Sequence, residues 1–521
     1  MESLNNRTYI MPEADIKPFF TAASVVASKR FLHTLLGLGN NKTITAFIAV
    51  ICFLMAANIN AQTLEWVKST GGGEDDEGKS ITVDATGNVY ITGFFKNSVD
   101  FDPGPDEKNL HSVGARDIFV QKLDANGNFL WAKSFGGKGE DLGVSIALDE
   151  ASNVYITGGF DDTVDFDPGI GVTNLTAVGK KDIFIQKLDA NGNFLWAKSC
   201  GGNSSDQGKC ISIDTRGNVY TTGSFIDKVD FDPGTGVAVL SSEGETDVFV
   251  QKLDANGNFL WAKSCGGKGG DVVNSIAIDK ESNVYTTGTF KSFFNYAADF
   301  DPGPDSMKLA SAGEQDIFIL KLDANGNFLW AKSCGAEYYD NSMSIAVDDK
   351  GNVYTTGLFT GIVDFDPGIN VMKLSSEANL VGQHDMFILK LDANGNFIWA
   401  KSCGGKHSEA GLSIAIDEAG NVFTTGYFGH EVDFDPGTGV TNLYAIRETD
   451  IFIQKLDSKG NFLWAKSCGG NASELGNSIT VDKKGNVFIT GYFSDEIEFE
   501  LGSSEINISA LGKDFYILKL K

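Results

Sequence analysis

The chain alternates short runs of β-branched and aromatic residues with polar turns that contain Gly, and its repeats carry no helical apolar spacing. Asp182–Gly202, DIFIQKLDANGNFLWAKSCGG, shows the pattern in full. DIFIQKLD predicts one arm of a β-hairpin and NFLWAKS its return arm. The turn between them offers a Gly for the positive φ of a hairpin bulge. The stretch recurs from Asp117, Asp247, Asp316, Asp385 and Asp450. With its flanks, each unit reads as four strands. In the second full unit these are strand a, Ser145–Asp149; strand b, Asn153–Phe160; strand c, Asp182–Asp189; and strand d, Asn193–Ser199.

The copies are cut at the two ends. Thr63–Thr70, TLEWVKST, is a return arm alone, and Asp514–Lys521, DFYILKLK, is a first arm alone. Paired, they complete one split hairpin and close a ring, the arrangement of a β-propeller. All seven Trp fall at one repeat position: Trp66, Trp131, Trp196, Trp261, Trp330, Trp399 and Trp464, at intervals of 65 or 69 residues. Asn-Val-Tyr/Phe recurs as often, from Asn88 to Asn486. The expectation is an all-β, seven-bladed β-propeller of four-stranded blades over residues 62–521, closed by its N-terminal and C-terminal strands. One Trp per blade points to packing between blades rather than to a sugar platform.

Turns a–b and c–d are short and repetitive. Links b–c and d–a are long, differ from unit to unit and fall together on the opposite face. Variation confined to one face marks it as the binding face. Phe293, Phe294 and Tyr296 in one b–c insertion, with Tyr338 and Tyr339 in a d–a link, are the recognition candidates. A second insertion lies near Ala378–Gln383.

Link b–c also carries Asp-Phe-Asp-Pro-Gly six times. Its carboxylate pairs are Asp100 with Asp102, Asp165 with Asp167, Asp230 with Asp232, Asp299 with Asp301, Asp364 with Asp366, and Asp433 with Asp435. Strand alternation sets both carboxylates of a pair on one face. Asp-Pro-Gly is an ordinary turn sequence. The same spacing offers oxygens to a hard cation, calcium, and both readings stand at this point. The DANGN turns lack the later acidic ligand of a calcium-binding EF-hand loop and are read as turns alone.

A formal net charge of −27 argues against nucleic acid and anionic membrane surfaces as partners. Ile44–Ala57 is an apolar run followed by Asn-Ile-Asn-Ala, which predicts a secretory signal within a 1–61 leader, cleavage after Ala61 and an exported chain. The run is short for a membrane span; an uncleaved anchor is the alternative. Cys52 lies in this leader. Cys200, Cys265, Cys334, Cys403 and Cys468 occupy one equivalent place per unit and read as buried small hydrophobes. Cys200 with Cys210 is the one short-range candidate for a disulfide.

Catalytic signals are thin. His111, His384, His407 and His430 neither recur nor take a metal-ligand spacing, and no G-x-S-x-G, phosphate loop or dinucleotide fingerprint is present. No catalytic residue and no cofactor other than calcium is therefore assigned.

Ile345–Gly357, IAVDDKGNVYTTG, followed by Asp385–Trp399, DMFILKLDANGNFIW, resembles the SBBP seven-bladed β-propeller repeat of exported bacterial proteins. The resemblance runs over Thr63–Lys521. It implies secretion and a propeller but brings no agreed activity. LDANGNFLW is also similar to the tryptophan-docking motif of quinoprotein propellers. Those usually have eight blades, and their dehydrogenases often show adjacent cysteines, which this chain lacks. Some proteins with SBBP repeats end in a sorting or adhesive domain, whereas this sequence stops on the closing strand.

The function expected is a non-catalytic, exported, monomeric scaffold that presents the b–c/d–a face to a protein or glycan. One alternative is a calcium-binding structural or adhesive envelope protein. Another is a propeller enzyme, quinoprotein-like or otherwise, which predicts a His, Arg or Tyr cluster breaking the repeat in the central channel.

Overall fold

Steric crowding at Cβ favours extended backbone for the Val, Ile, Thr, Phe and Tyr that fill these repeats, and every regular element of the structure is a strand. The structure is a computed structural model and describes residues 62–293, 296–377, 383–500 and 505–521. The signal-like run, its cleavage position, Cys52, Phe294 and most of the second insertion lie outside the described residues. Among the described residues there is no helix, and so none long and apolar enough to cross a membrane.

In the second unit strand a is Leu142–Leu148, b is Val154–Phe160, c is Asp182–Leu188 and d is Phe194–Cys200. They pair antiparallel in the order a-b-c-d. Strand a begins earlier than the apolar pattern predicts. A bulge between Gly143 and Ser145 shifts the register there, so side-chain alternation settles only after it.

Four more sheets repeat this order, and two further sets of strands merge in one eight-stranded sheet through Gly469↔Glu498 and Gly470↔Ile497. The last set consists of Leu475–Val481, Val487–Glu500 and Glu505–Leu520, with Leu64–Thr70 as its outer strand. The two predicted half-hairpins do pair: Val67 faces Leu518 and Thr70 faces Phe515. Thr63 and Lys521 exchange N–H···O bonds of 3.0 and 2.9 Å at the mouth of this ladder.

Turn c–d explains its own sequence. In Asp189–Asn193 the Asp189 Oδ1 accepts the N–H of Asn191 at 2.8 Å and of Asn193 at 2.9 Å. Gly192 takes φ of +77°, and a register shift follows between Lys187 and Leu188. A Cβ on Gly192 would also come within 3.1 Å of the Trp131 ring of the preceding sheet. Glycine is required there for backbone and for neighbour alike.

That neighbour forms the tie between sheets. Trp131 Nε1 and Lys122 Nζ both donate to the Ala190 carbonyl, at 3.3 and 3.0 Å. The Lys122 ammonium also lies 4.7 Å from the centre of the Tyr90 ring, so Tyr, Lys and Trp form one row across strands b, c and d. The same pair of donors meets Ala255, Ala324, Ala393 and Ser458 in later units. Trp66 and Lys519, from opposite ends of the described chain, converge on Ala125 O at 3.3 and 2.8 Å. Beyond Trp464 the next sheet has Lys521 and Thr63 where the others have a turn. Trp464 Nε1 is buried and has no hydrogen-bond partner among the described residues.

The core lies within and between the sheets. Strand c is buried along its whole length in the first five sets and at every residue but Lys455 in the sixth, and the repeated thiols are sealed beneath the b–c links. Cys200 and Cys210 are both free. The pairing suggested by their sequence separation is not formed: Cys200 points to the Phe231 carbonyl and Cys210 to Ser145.

Glu505–Leu520 pairs on one side with Val487–Glu500 and on the other with Leu64–Thr70. Deleting residues 514–521 therefore removes two ladders and the buried Phe515, Tyr516, Ile517, Leu518 and Leu520. The expected outcome is loss of a cooperative thermal transition by circular dichroism. An unchanged midpoint would contradict the pairing.

Candidate functional site: the b–c and d–a loop face

Link b–c folds as a raised two-stranded ribbon, for example Thr163–Asp165 paired with Asn174–Thr176. Alternation sends Val164 and Phe166 inward, where both are buried. The Phe166 ring sits 5.4 Å from Phe160 and 5.0 Å from Phe184, and Gln186 Nε2 donates to the Phe166 carbonyl at 2.6 Å. Each ribbon is thus fastened to its sheet by one aromatic anchor and, in four units, by a strand-c Gln.

The paired aspartates cap these ribbons. Asp165 Oδ1 accepts the N–H of Asp167 and of Thr173, at 3.1 and 2.8 Å, while Asp167 Oδ1 accepts that of Gly169 at 2.8 Å. The first aspartate of every other pair bridges its ribbon in the same way: Asp100, Asp230, Asp299, Asp364 and Asp433 each accept two backbone N–H groups on Oδ1. The second aspartate closes the Pro-Gly turn. Asp102 accepts from Gly104, Asp232 from Gly234, Asp366 from Gly368 and Asp435 from Gly437, all at 2.8 Å, and Asp301 accepts from Gly303 at 2.7 Å.

One oxygen of every carboxylate is therefore engaged by backbone donors, and the pairs stand on separate ribbons. Among the described residues no group of three or more His, Cys, Asp or Glu is placed to hold a metal ion. Asp100 and Asp102, Asp165 and Asp167, Asp230 and Asp232, Asp299 and Asp301, Asp364 and Asp366, and Asp433 and Asp435 take the geometry of the turn reading. The turn reading has a local physical reason: each first aspartate ties the two arms of its ribbon together, and each second aspartate closes the Pro-Gly turn.

A second set of carboxylates organises the face from below and was not singled out in the sequence. Asp141 is fully buried; its Oδ2 accepts the N–H of Gly137 at 2.7 Å and its Oδ1 that of Asp161 at 2.9 Å. It joins the d–a link to the end of strand b. Asp76, Asp206, Asp271 and Asp340 do the same in their units, and Glu409 and Glu474 stand at the equivalent place. The signal was present: an acidic residue stands ten positions after every Trp. The diversity of the surrounding link hid it.

Each of these acids lies near the aspartate that opens strand c. Burial, with a smaller contribution from the neighbouring charge of Asp247, pushes the Asp271 carboxyl up to about 7. Burial raises Asp247 itself to about 7 and Asp316 to about 6. Glu409 and Glu474 are pushed up to about 8 by burial, with Asp385 and Asp450 adding to it.

The side chains left at the surface are aromatic and aliphatic. Tyr296, Tyr338 and Tyr339 are 56%, 42% and 39% exposed, and Phe293 is 43% exposed. Lys268 Nζ lies 3.6 Å from the Tyr296 ring centre, whereas Tyr338 packs over Gly361 and the Tyr339 hydroxyl accepts from Asn341 Nδ2 at 3.0 Å. The two candidate groups occupy successive links. The ribbon tips, which sequence reasoning passed over, expose more. Ile170 and Ile369 are fully exposed, and Val172, Val237, Val371 and Val440 are exposed as well. The signal was an apolar residue in the turn after Asp-Pro-Gly, where solvated turns usually carry none.

Three of the histidines also meet here. His407 and His430 stack with ring centres 3.9 Å apart, and His384 Nε2 lies 3.0 Å from the Tyr427 hydroxyl.

The buried acids set a pH dependence. Their folded-state carboxyls, up to about 7 and 8, lie above the ordinary values near 4, so the folded state holds protons that the unfolded chain releases. This contribution is full below about pH 4 and is lost as pH rises through 7 to 8. The turn aspartates Asp124, Asp189 and Asp254 behave oppositely: bonds to Asn side chains and backbone N–H outweigh burial and hold them low, so their contribution is lost only in strong acid. The urea midpoint should therefore be highest near pH 5 and fall by pH 8.5. A flat or rising profile over that interval would contradict the burial of these pairs.

Comparison with known proteins agrees with this architecture. Residues 65–93 and 261–289 match the SBBP β-propeller repeat. An uncharacterized WD repeat-containing protein of Acanthamoeba polyphaga mimivirus is 25% identical over 506 residues, covering 82% of this chain and 36% of its own length. The regulatory protein FlaEY of Caulobacter vibrioides is 24% identical over 213 residues, 39% of this chain and 22% of that protein. The chain thus spans little more than a third of one of these relatives and about a fifth of the other. Among solved structures, Sqt1 from Chaetomium thermophilum aligns over 88% of this chain and 99% of its own, at 9% identity and a TM-score of 0.33. The chain thus carries the SBBP β-propeller repeat at two places, and its described residues form repeated four-stranded antiparallel sheets.

Proposed function

We propose that residues 62–521 form a closed seven-bladed propeller that works as an exported, non-catalytic binding scaffold, its b–c/d–a face engaging a protein or glycan. Closure is supported by the pairing of Leu64–Thr70 with Glu505–Leu520. It is supported again where the last strand a meets the first: Ile81 N–H donates to Ser478 Oγ at 3.3 Å, and Asn477 Nδ2 to Gly78 O at 2.9 Å. Export rests on the leader pattern in the sequence.

The observation that carries the binding role is the row of apolar ribbon tips. Ile170 and Ile369 stand fully in water on ribbons whose bases are anchored by buried Phe. Rigid apolar residues on a rim of Asp and Glu gain most from a partner that covers them. Their rigidity lowers the ordering cost of binding.

A photo-crosslinking residue placed at 170 or 369 should capture a cell-surface partner or glycoconjugate. One placed at Ala190 or Asn126, on the turn face, should not. Replacing Ile170, Val172, Ile369 and Val371 together by Ser should weaken capture at least tenfold with an unchanged melting midpoint. Capture from the turn face instead would overturn the assignment, and fractionation with N-terminal sequencing checks cleavage after Ala61.

A further inference from the structure

The inner strands a present their side chains to a cavity of about 270 Å³. Its wall repeats a pair of positions, and the second is Ser in every unit but one: Cys210 stands there. Ser80 Oγ accepts the Ile146 N–H at 3.3 Å, and Ser145 Oγ accepts the Ile211 N–H at 3.2 Å. An engaged lone pair leaves each hydroxyl its proton to donate, and that of Ser145 points to Cys210 Sγ at 3.6 Å.

The first position is apolar or an amide in most units, as at Val144 and Asn477, but it is Lys79 and Lys209 in two. Lys79 is hydrogen-bonded to Glu77. Lys209 makes no hydrogen bond or ion pair among the described residues, and the neighbouring charges that act on it, Lys79 and Lys181, are cationic too. Burial first, then these cations, lowers its pKa. Lys79 and Lys181 are paired with Glu77 and Glu140, whereas the half-buried Lys209 ammonium has no counter-charge among the described residues, and an incoming anion would satisfy it. Among the described residues the cavity lining holds no His, Arg or Tyr; its departures from the repeat are Lys79, Lys209 and Cys210.

We propose that this cavity binds a small organic oxyanion, a carboxylate or phosphate on a compact body, with Lys209 as its charge partner, Lys79 beside it and Ser80 donating a hydroxyl. The volume suits a molecule of a few carbons, and the apolar wall at Val144 takes its body. The Cys210 thiol lies at the edge of the site. It is the one described thiol that is not buried.

Two experiments on the full chain test this. Calorimetric titration with succinate, inorganic phosphate and neutral succinamide should show one-to-one binding of at least one oxyanion and none of the amide. Binding of succinate alone assigns a carboxylate, and binding of phosphate alone a phosphate. Lys209→Met should weaken it at least tenfold, and Lys209→Arg should retain it. The second experiment needs no ligand. The Cys210 thiolate displaces methanesulfinate from methanethiosulfonate reagents, forming a mixed disulfide that peptide mass mapping locates, with Cys210→Ser as control. The anionic sulfonatoethyl reagent should react faster than the cationic trimethylammonioethyl one, and Lys209→Met should shrink that ratio at least tenfold. Absence of oxyanion binding, or a ratio indifferent to Lys209, would overturn the proposal.

Discussion

The antiparallel ladder between Leu64–Thr70 and the strand ending at Leu520 is the constraint on which the remaining sheets depend. An unpaired strand edge leaves backbone N–H and C=O groups without partners, and a row of sheets stacked side by side ends in two open faces. Pairing Leu64–Thr70 with Glu505–Leu520 within one sheet gives these two strands partners. It draws Trp66 and Lys519 onto one carbonyl, the same tie that internal units make with residues of a single hairpin. Local turn chemistry and the long-range pairing of these two strands therefore use the same contact.

Rigidity at the loop face has a different origin. Buried carboxylates knit the b–c and d–a links by accepting backbone N–H groups, and the ribbons above them are pinned by Phe. The links vary in sequence over a framework that does not, so surface residues such as Ile170 and Tyr338 change while their support is held. The inner strands are a separate environment, where Ser side chains bridge neighbouring sheets and Lys209 stands without a counter-charge.

Much of this was legible in the residues. Period-two patterning and the Asp-x-x-Gly-Asn turns located the strands, because Asp and Gly act there through local backbone geometry. The recurrent Trp announced packing between units. The Asp-Phe-Asp-Pro-Gly pairs left turn and cation open, and the turn role became visible only in the backbone bonds of residues such as Asp165 and Asp167. Strand a was misplaced by a few residues, since the bulge at Gly143 breaks alternation without a sequence mark of its own. The acid ten residues after each Trp escaped notice because its partners are backbone groups in another link. The stacking of His407 on His430 joins residues from two links and leaves no local pattern. Lys209 was invisible for the same reason: a lysine reads as solvated surface until the inner strands set it beside Lys79 on one cavity wall.

Hydrogen exchange read by mass spectrometry tests the account at its centre. If the two terminal segments complete one sheet, amides of Phe515–Leu518 lie between two paired strands. They should exchange as slowly as those of Phe184–Gln186 in an internal strand c. Protection of this order, near the global unfolding limit, is the predicted result. Exchange within seconds, as at a frayed terminus, would contradict the pairing of Leu64–Thr70 with Glu505–Leu520.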